Sequence, residues 1–319
     1  MSLCIIMTGQ IRTFFTHVTP SFTRLIENSK QHYKFIYIIC VTNESSEHLP
    51  QLHTFLQSLR VKYSVYDYSK YIPIFEQANQ ERLLDKGYQN MADIYNRTPG
   101  EIQTIMSPTH HVHYSQRNKG PFGFHKQWHQ LEIGIGHLFE YETKENVVFD
   151  VCMRMRFDNI LTDDEFYPHV PDKNILSKIT FNEHILSTLQ TKMANLNIHT
   201  IEEYTQYLKN NPIQVPHYLS SLPETSFGCY FLNNYISLEN IIKGEENILY
   251  CFVDHIIFGK RDVFVKLYSF FNEFGKIESD LNQKGLQAFF CSEGQLLIFC
   301  FHHNINPLMY VHHPIFKLA

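Results

Sequence analysis

Arg154, Arg156 and Asp158 stand at alternate positions in the stretch V-V-F-D-V-C-M-R-M-R-F-D-N, Val147 to Asn159. Apolar residues at Val147, Val148, Phe149, Val151, Met153, Met155 and Phe157 predict a strand here. Side chains alternate across a strand, so Val151, Met153, Met155 and Phe157 share one face. Cys152, Arg154, Arg156 and Asp158 share the other, with successive side chains about 7 Å apart. Charges on so apolar a strand are costly to bury without partners. A bound anion for the arginines and a bound cation for the carboxylate would supply partners, as a nucleotide-diphosphate site with a divalent metal does. A solvated strand face, or an ion-pair ladder between strands, answers the same spacing equally well.

The elements around this stretch predict where it sits. Leu3 to Met7 is a short apolar strand, followed by Thr8-Gly9-Gln10-Ile11-Arg12 and a helix from about Phe14 to Gln31, interrupted early by Pro20. Lys34 to Thr42 is a nearly continuous apolar strand, as in parallel sheets covered on both faces. His48 to Leu59 has helical spacing, and Val61 to Tyr68 alternates as a third strand. This order opens an α/β domain with a parallel sheet. A helix over Phe124 to Glu142 places Trp128, Leu131, Ile135, Leu138 and Phe139 on one face, leaving Gln127 and Gln130 off it, toward a ligand or solvent.

Farther on, Ser226 to Leu232 reads as a strand and Ile201 to Leu208 as a helix. Ile248 to Phe258 is apolar around Asp254. Val263, Leu267, Phe270, Phe271 and Phe274 mark an amphipathic helix, and Ser292 with Gln295 forms a capping box for another to His303. No repeat or linker divides the chain. The expected organisation is a single domain, residues 1–319, with 1–160 binding one substrate and 161–319 building the other side.

Composition narrows the function classes. With 44% hydrophobic and 18% charged residues, the 319-residue chain is that of a folded globule. A net charge of -5 gives no broad basic surface for nucleic acid. The seven cysteines include no short-spaced pair, and several sit in apolar runs, which suits a reducing compartment. Without a signal-peptide layout or a membrane-length apolar run, the expectation is a cytoplasmic protein (host cytoplasm if viral) with no integral membrane segment. The 19 histidines include His110, His111 and His113, then His302 with His303 and His312 with His313. Adjacent pairs split across faces, and no zinc motif occurs, so these read as surface or loop residues.

The residues after the first strand invite a ligand. In open α/β sheets ligands bind beyond the carboxyl ends of strands. Gly9 would admit close approach to the backbone and Arg12 could reach a phosphate, although a plain turn explains the glycine as well. The order M-T-G-Q-I-R-T-F (Met7 to Phe14), Gln127, R-M-R-F-D (Arg154 to Asp158) and D-H-I-I-F-G (Asp254 to Gly259) resembles a group of surface-glycan glycosyltransferases of bacteria and large DNA viruses. That resemblance implies a GT-A-like, Rossmann-like fold: an α/β sheet, mostly parallel, flanked by helices.

It also implies a nucleotide-sugar donor, a divalent metal (Mn²⁺ or Mg²⁺) and transfer to a glycan or glycoprotein acceptor. Thr8, Gly9, Gln10, Arg12, Gln127, Arg154 and Arg156 would hold the donor, a UDP-sugar with GDP as the alternative. Asp158 would take the place of the metal-binding acid, although Arg156 stands where the Asp-x-Asp pattern has its other acid. Mg²⁺ or Mn²⁺ brought in with phosphates can manage with one protein carboxylate. Asp254 is the candidate general base for the acceptor hydroxyl, with Glu224 the second candidate. Asp254 as a helix cap or structural hydrogen-bond partner explains its place equally well. A metal-dependent hydrolase of sugar-nucleotides or phosphoesters, and a non-catalytic glycan-binding module, are the rival readings.

Overall fold

The computed structural model describes residues 1–42, 48–75, 77, 123–170, 247–252, 255–273, 305–309 and 316–318, with isolated positions at 194–203 and 296–303. The apolar runs at the start become β1 (Ser2–Thr8) and β2 (Phe35–Thr42), whose interiors are almost wholly buried. β3 (Lys62–Asp67) follows, less buried along its length. All three pair in parallel. The segment predicted to contain the first helix is a π-helical turn, Phe14–Val18, leading into α1 (Thr19–His32). Pro20 lies in the first turn of α1, where its missing N–H breaks no helical bond. α2 is His48–Ser58.

The long helix α3 spans Gly123–Glu145, three residues beyond its expected end. It closes on Asn146, which takes φ 51°, a left-handed conformation that asparagine tolerates at helix ends. Residues 147–150 are therefore the link after the helix, and the strand predicted from Val147 begins instead at β4 (Val151–Arg156). Val148 is 70% exposed, as befits a link and not a strand. β5 is Asn159–Leu161. The apolar stretch after Asn247 is two antiparallel strands, β6 (Ile248–Phe252) and β7 (Ile256–Lys260). Helix α4 (Arg261–Phe264) and a 3₁₀ turn (Val265–Ser269) carry Val263, Leu267, Phe270 and Phe271 into the core. β8 (Asn306–Met309) and β9 (Phe316–Leu318) complete the described strands.

Seven of these form one sheet in the order β3-β2-β1-β4-β7-β6-β8, and β5 pairs with β9 in a second. Within the large sheet only β7 runs against its neighbours. The fold class is α/β with a mostly parallel sheet. The chain steps outward from β1 through β2 to β3, then returns to place β4 on the other side of β1. The carboxyl ends of β1 and β4 are thus the topological switch point of the sheet.

Two apolar layers cover the sheet. One joins Leu3, Ile5, Met7, Met153 and Met155 to α1 and α2 through Phe22, Leu25, Leu52 and Leu56. The other joins Cys4, Ile6, Ile39, Val41 and Cys152 to Trp128, Leu131, Ile135 and Leu138 of α3. Among the described residues five cysteines are buried as free thiols, and burial pushes those of Cys4, Cys40, Cys251 and Cys300 up. They are apolar fillers. Among the described residues no helix is long and apolar enough to cross a membrane.

The amino edge of the sheet is tied by polar groups. The Asp150 carboxylate accepts from the Ser2 backbone N–H at 2.6 Å and from its hydroxyl at 3.0 Å. Buried Glu142 accepts from Arg261 at 3.2 and 2.6 Å and from the Phe149 N–H at 3.1 Å. These bonds set β4 beside β1 in a register that opposes Ile6 with Arg154 and Thr8 with Arg156.

α3 lies so close to the sheet that a Cβ at Gly134 would sit 2.5 Å from Ile6 Cγ2, a short branched side chain with nowhere to retreat. At Gly136 a Cβ would meet only the Tyr268 ring, at 3.6 Å. Gly134→Ala is expected to lower stability in urea unfolding by about 1–3 kcal/mol. Gly136→Ala is expected to raise it by up to about 1 kcal/mol through helix propensity.

Candidate functional site

The alternation read from the sequence places Arg154 and Arg156 on the α3 side of β4, and Met153 and Met155 on the α1–α2 side. The two arginines differ sharply in surroundings. Arg154 is completely buried. Its Nε donates to the Thr8 hydroxyl at 3.3 Å and one Nη donates to Gln127 Oε1 at 3.0 Å. Its guanidinium carbon lies 5.4 Å from the Trp128 ring centre, within cation–π range. Thr8 comes from the end of β1 and Gln127 from the first turns of α3, so three elements converge on one cation.

Arg156 is the last residue of β4 and is partly exposed. Its guanidinium grips Asp158 with two bonds, Nε to Oδ1 at 2.9 Å and Nη2 to Oδ2 at 2.6 Å. Each side chain of the pair keeps 29% of its surface exposed. Between them Phe157 turns inward, fully buried and edge-on to Phe14 at 5.4 Å, with its N–H donating to the Thr8 carbonyl at 3.2 Å. The buried ring anchors the turn, and the ion pair occupies the rim above it.

At the end of β1, Gly9 adopts φ +109°, which residues with a side chain rarely adopt. A Cβ added there would meet nothing within 4 Å. Among the described residues nothing fills the space at this Cβ position. Gln10 and Arg12 are exposed, and Gln127 is half-buried. Gln130, which falls off the apolar face in the helical reading, is nevertheless buried. Trp128 is core, as its place on that face predicts, yet its indole N–H has no hydrogen-bond partner among the described residues. The Thr42 hydroxyl, at the end of β2, is buried and likewise without a partner there.

The structure brings together Thr8, Gln127 and Arg154, and separately Arg156 with Asp158. Asp254 and Glu224 lie outside the described residues, as do His110, His111, His113, the expected strand at 226–232 and the capping box at Ser292. Two polar residues that the sequence reading passed over stand at this edge. Asn159 is fully buried, and its Oδ1 accepts from the Arg156 N–H at 2.9 Å. Its Nδ2 faces His255 Nδ1 at 3.3 Å. Only their adjacency to Asp158 and Asp254 in sequence could have pointed to them.

The divalent ion expected at Asp158 would need open oxygen ligands. Both carboxylate oxygens here already accept from Arg156. Among the described residues no three His, Cys, Asp or Glu side chains converge on a point. As arranged, Asp158 is the partner of a guanidinium and does not fit a metal cage, so no chemical step is derived through an ion. Arg154, Arg156 and Asp158 together carry one net positive charge, which suits an anion. Compared with known proteins, the chain matches no family model and no curated protein.

The two arginines should respond differently to loss of a partner. Thr8→Val keeps the shape of the side chain but removes an acceptor from a buried charge, and is expected to cost about 1–3 kcal/mol. Asp158→Asn weakens a partly exposed pair and is expected to cost less than about 1 kcal/mol. Chemical denaturation of both variants checks the difference.

Proposed function

We propose that the chain is a glycosyltransferase that binds a nucleotide-sugar by its diphosphate at the carboxyl edge between β1 and β4. The observation that carries this reading is Arg154: a completely buried guanidinium, fixed by Thr8 and Gln127, at the switch point of the sheet. A cation immobilised out of water interacts more strongly with a nearby anion than one in solvent. Arg156, nearer the rim, can exchange Asp158 for a phosphate oxygen at small cost, because a partly exposed ion pair contributes roughly 0–1 kcal/mol. Among the described residues nothing stands within 4 Å of a Cβ at Gly9, which leaves room there for a ligand to approach the backbone.

The order of the motifs Met7–Phe14, Gln127, Arg154–Asp158 and Asp254–Gly259 supports the GT-A-like form of this α/β fold. So does the single reversed strand β7 in an otherwise parallel sheet. In this reading residues to about Asp158 hold a UDP- or GDP-sugar, and the remainder builds the side for a glycan acceptor. Asp254, which directly precedes His255, takes the proton of the acceptor hydroxyl as that hydroxyl attacks the anomeric carbon. The arginines meet the negative charge that builds on the departing diphosphate.

A thermal-shift panel of UDP, GDP, CMP and their sugars, each with and without Mn²⁺, tests the reading. A ligand at about 100 times its Kd should add roughly 2.7 kcal/mol of stability, a rise of several degrees in Tm. One nucleotide is expected to give that rise, and its sugar conjugate to give at least as much. No response to any nucleotide, or a response to free sugars alone, overturns it. Arg156→Gln should weaken the responding nucleotide by about tenfold or more, since hydrogen bonds between charged groups are the stronger ones.

A further inference from the structure

The link from α3 to β4 carries apolar residues that the sheet does not use. Val147, Val148 and Phe149 have strand character in the sequence, yet of the three only Phe149 is buried in the core. Val147 and Val148 are 36% and 70% exposed. The link is held firmly. The Val147 N–H donates to the Glu142 carbonyl at 3.1 Å, the Phe149 N–H to the Glu142 carboxylate at 3.1 Å and the Asp150 N–H to the Ser2 carbonyl at 3.2 Å. Two valines are thus fixed in water beside the amino ends of β1 and β4.

Cations stand along the same edge. The whole chain carries a net charge of -5, so a basic surface depends on where its cations gather. Lys34 precedes β2, and its N–H donates to the Met1 carbonyl at 2.9 Å. Arg60 lies two residues before Lys62, which pairs with Tyr37 of β2. Lys144 is in the last turn of α3, and Lys260 opposes Val151 at the end of β7. All four are exposed, and none has a carboxylate partner among the described residues. From β3 to β7 they span about 20 Å at the usual spacing of strands. Carboxylates described along this edge are engaged: Glu142 and Asp262 with Arg261, Glu145 with Lys62, and Asp150 with Ser2. Helix dipoles favour a cation at a helix end, which accounts for Lys144 and Arg60 but gives nothing to Lys260 or to exposed valines.

We infer that this amino edge docks the protein on an anionic lipid surface. The cations meet the headgroups, and Val147 and Val148 enter the acyl boundary beneath them, so that electrostatic attraction and apolar burial act together. Nucleic acid offers phosphates to the cations but no apolar layer to the valines, so lipid is the better partner. β1 separates the two edges of the sheet by its seven residues. At about 3.3 Å per residue that is roughly 20 Å, which leaves Gly9, Arg154 and Arg156 at the end remote from the lipid. The inference uses no residue of the carboxyl edge and stands apart from the nucleotide-sugar reading.

Flotation of the full chain with vesicles tests this. The vesicles are phosphatidylcholine, with or without about one-third phosphatidylserine, at about 0.1 M and about 0.5 M NaCl. The wild type is expected to float with the anionic vesicles at the lower salt and to be released at the higher, where screening is stronger. Loss of one cation near an anionic membrane weakens binding about fivefold, so Lys34→Gln combined with Lys260→Gln should cost about twenty-five-fold. Val147→Ser combined with Val148→Ser should cost about tenfold or more with every charge kept. Lys70→Gln, which removes an exposed cation in the turn after β3 at the opposite edge, should bind as wild type. Melting curves show whether each variant folds, and the single variants Lys34→Gln and Val148→Ser carry the test where a double variant does not. No flotation of the wild type, equal flotation with uncharged vesicles, or a loss in Lys70→Gln as large as in the double glutamine variant overturns the proposal. So does unchanged binding in either double variant. If the serine variant binds unchanged and a short RNA displaces the vesicles, the edge is a surface for nucleic acid instead.

Discussion

The need to keep one guanidinium satisfied out of water governs the middle of this molecule. Arg154 is completely buried in a strand whose other residues before the terminal Arg156 are valine, cysteine and methionine. An isolated charge in such a place costs several kcal/mol even after relaxation. The cost is offset only if the neighbours are polar, close and fixed. Thr8 and Gln127 meet those terms because each belongs to a rigid element, and the Trp128 ring adds an electron-rich face at 5.4 Å. Move β1 by one residue against β4 and the Thr8 hydroxyl turns to the other face of the sheet. The register is thus a condition for burying the charge, and the bonds from Asp150 to Ser2 at the far edge help to hold it.

The same condition explains the length and placement of α3. A helix crossing a sheet needs only enough turns to cover it, but α3 begins far enough out to set Gln127 over the end of β1. It can reach Arg154 because Gly134 lets its axis approach Ile6 closely. A side chain at that position would lift the helix and draw the Gln127 amide away from the guanidinium. Packing in the interior therefore decides a hydrogen bond at the rim, and the two apolar layers are the frame that aims a polar cluster.

How far the sequence reveals this follows from the range of the forces involved. Strand alternation is local, so the opposite faces of Met153 and Arg154 are legible from spacing alone. Continuous apolar runs identify β1 and β2 because both faces of each are covered. The start of β4 is misplaced because Val147, Val148 and Phe149 have strand character while the helix before them runs on to Glu145 and closes at Asn146. Composition does not mark where a helix stops when no glycine or proline does so. The pairing of Arg156 with Asp158 is compatible with the alternating pattern but not required by it, since the turn at Phe157 decides whether i and i+2 charges meet. Asn159 and His255 are 96 residues apart, and only the antiparallel placement of β7 beside β4 joins them.

Arg154 and Arg156 look equivalent in the sequence, two residues apart on one face, yet in the proposed function they divide a task. A ligand diphosphate needs a charge that does not move and a charge that can come to meet it. The buried guanidinium gives the first: Thr8 and Gln127 help to set its position before any ligand arrives. The rim guanidinium gives the second. Paired with Asp158 it is neutralised and soluble, and the pair is exposed enough that exchanging carboxylate for phosphate replaces one charge-assisted bond with another. In that proposal Asp158 keeps Arg156 oriented and its charge in check until a stronger anion competes. Arg-x-Arg-x-Asp is read in this way as a fixed cation, a movable cation and the counter-ion of the movable one, which makes every charge in the motif answer to the same requirement of recognising an anion at the edge of an apolar sheet.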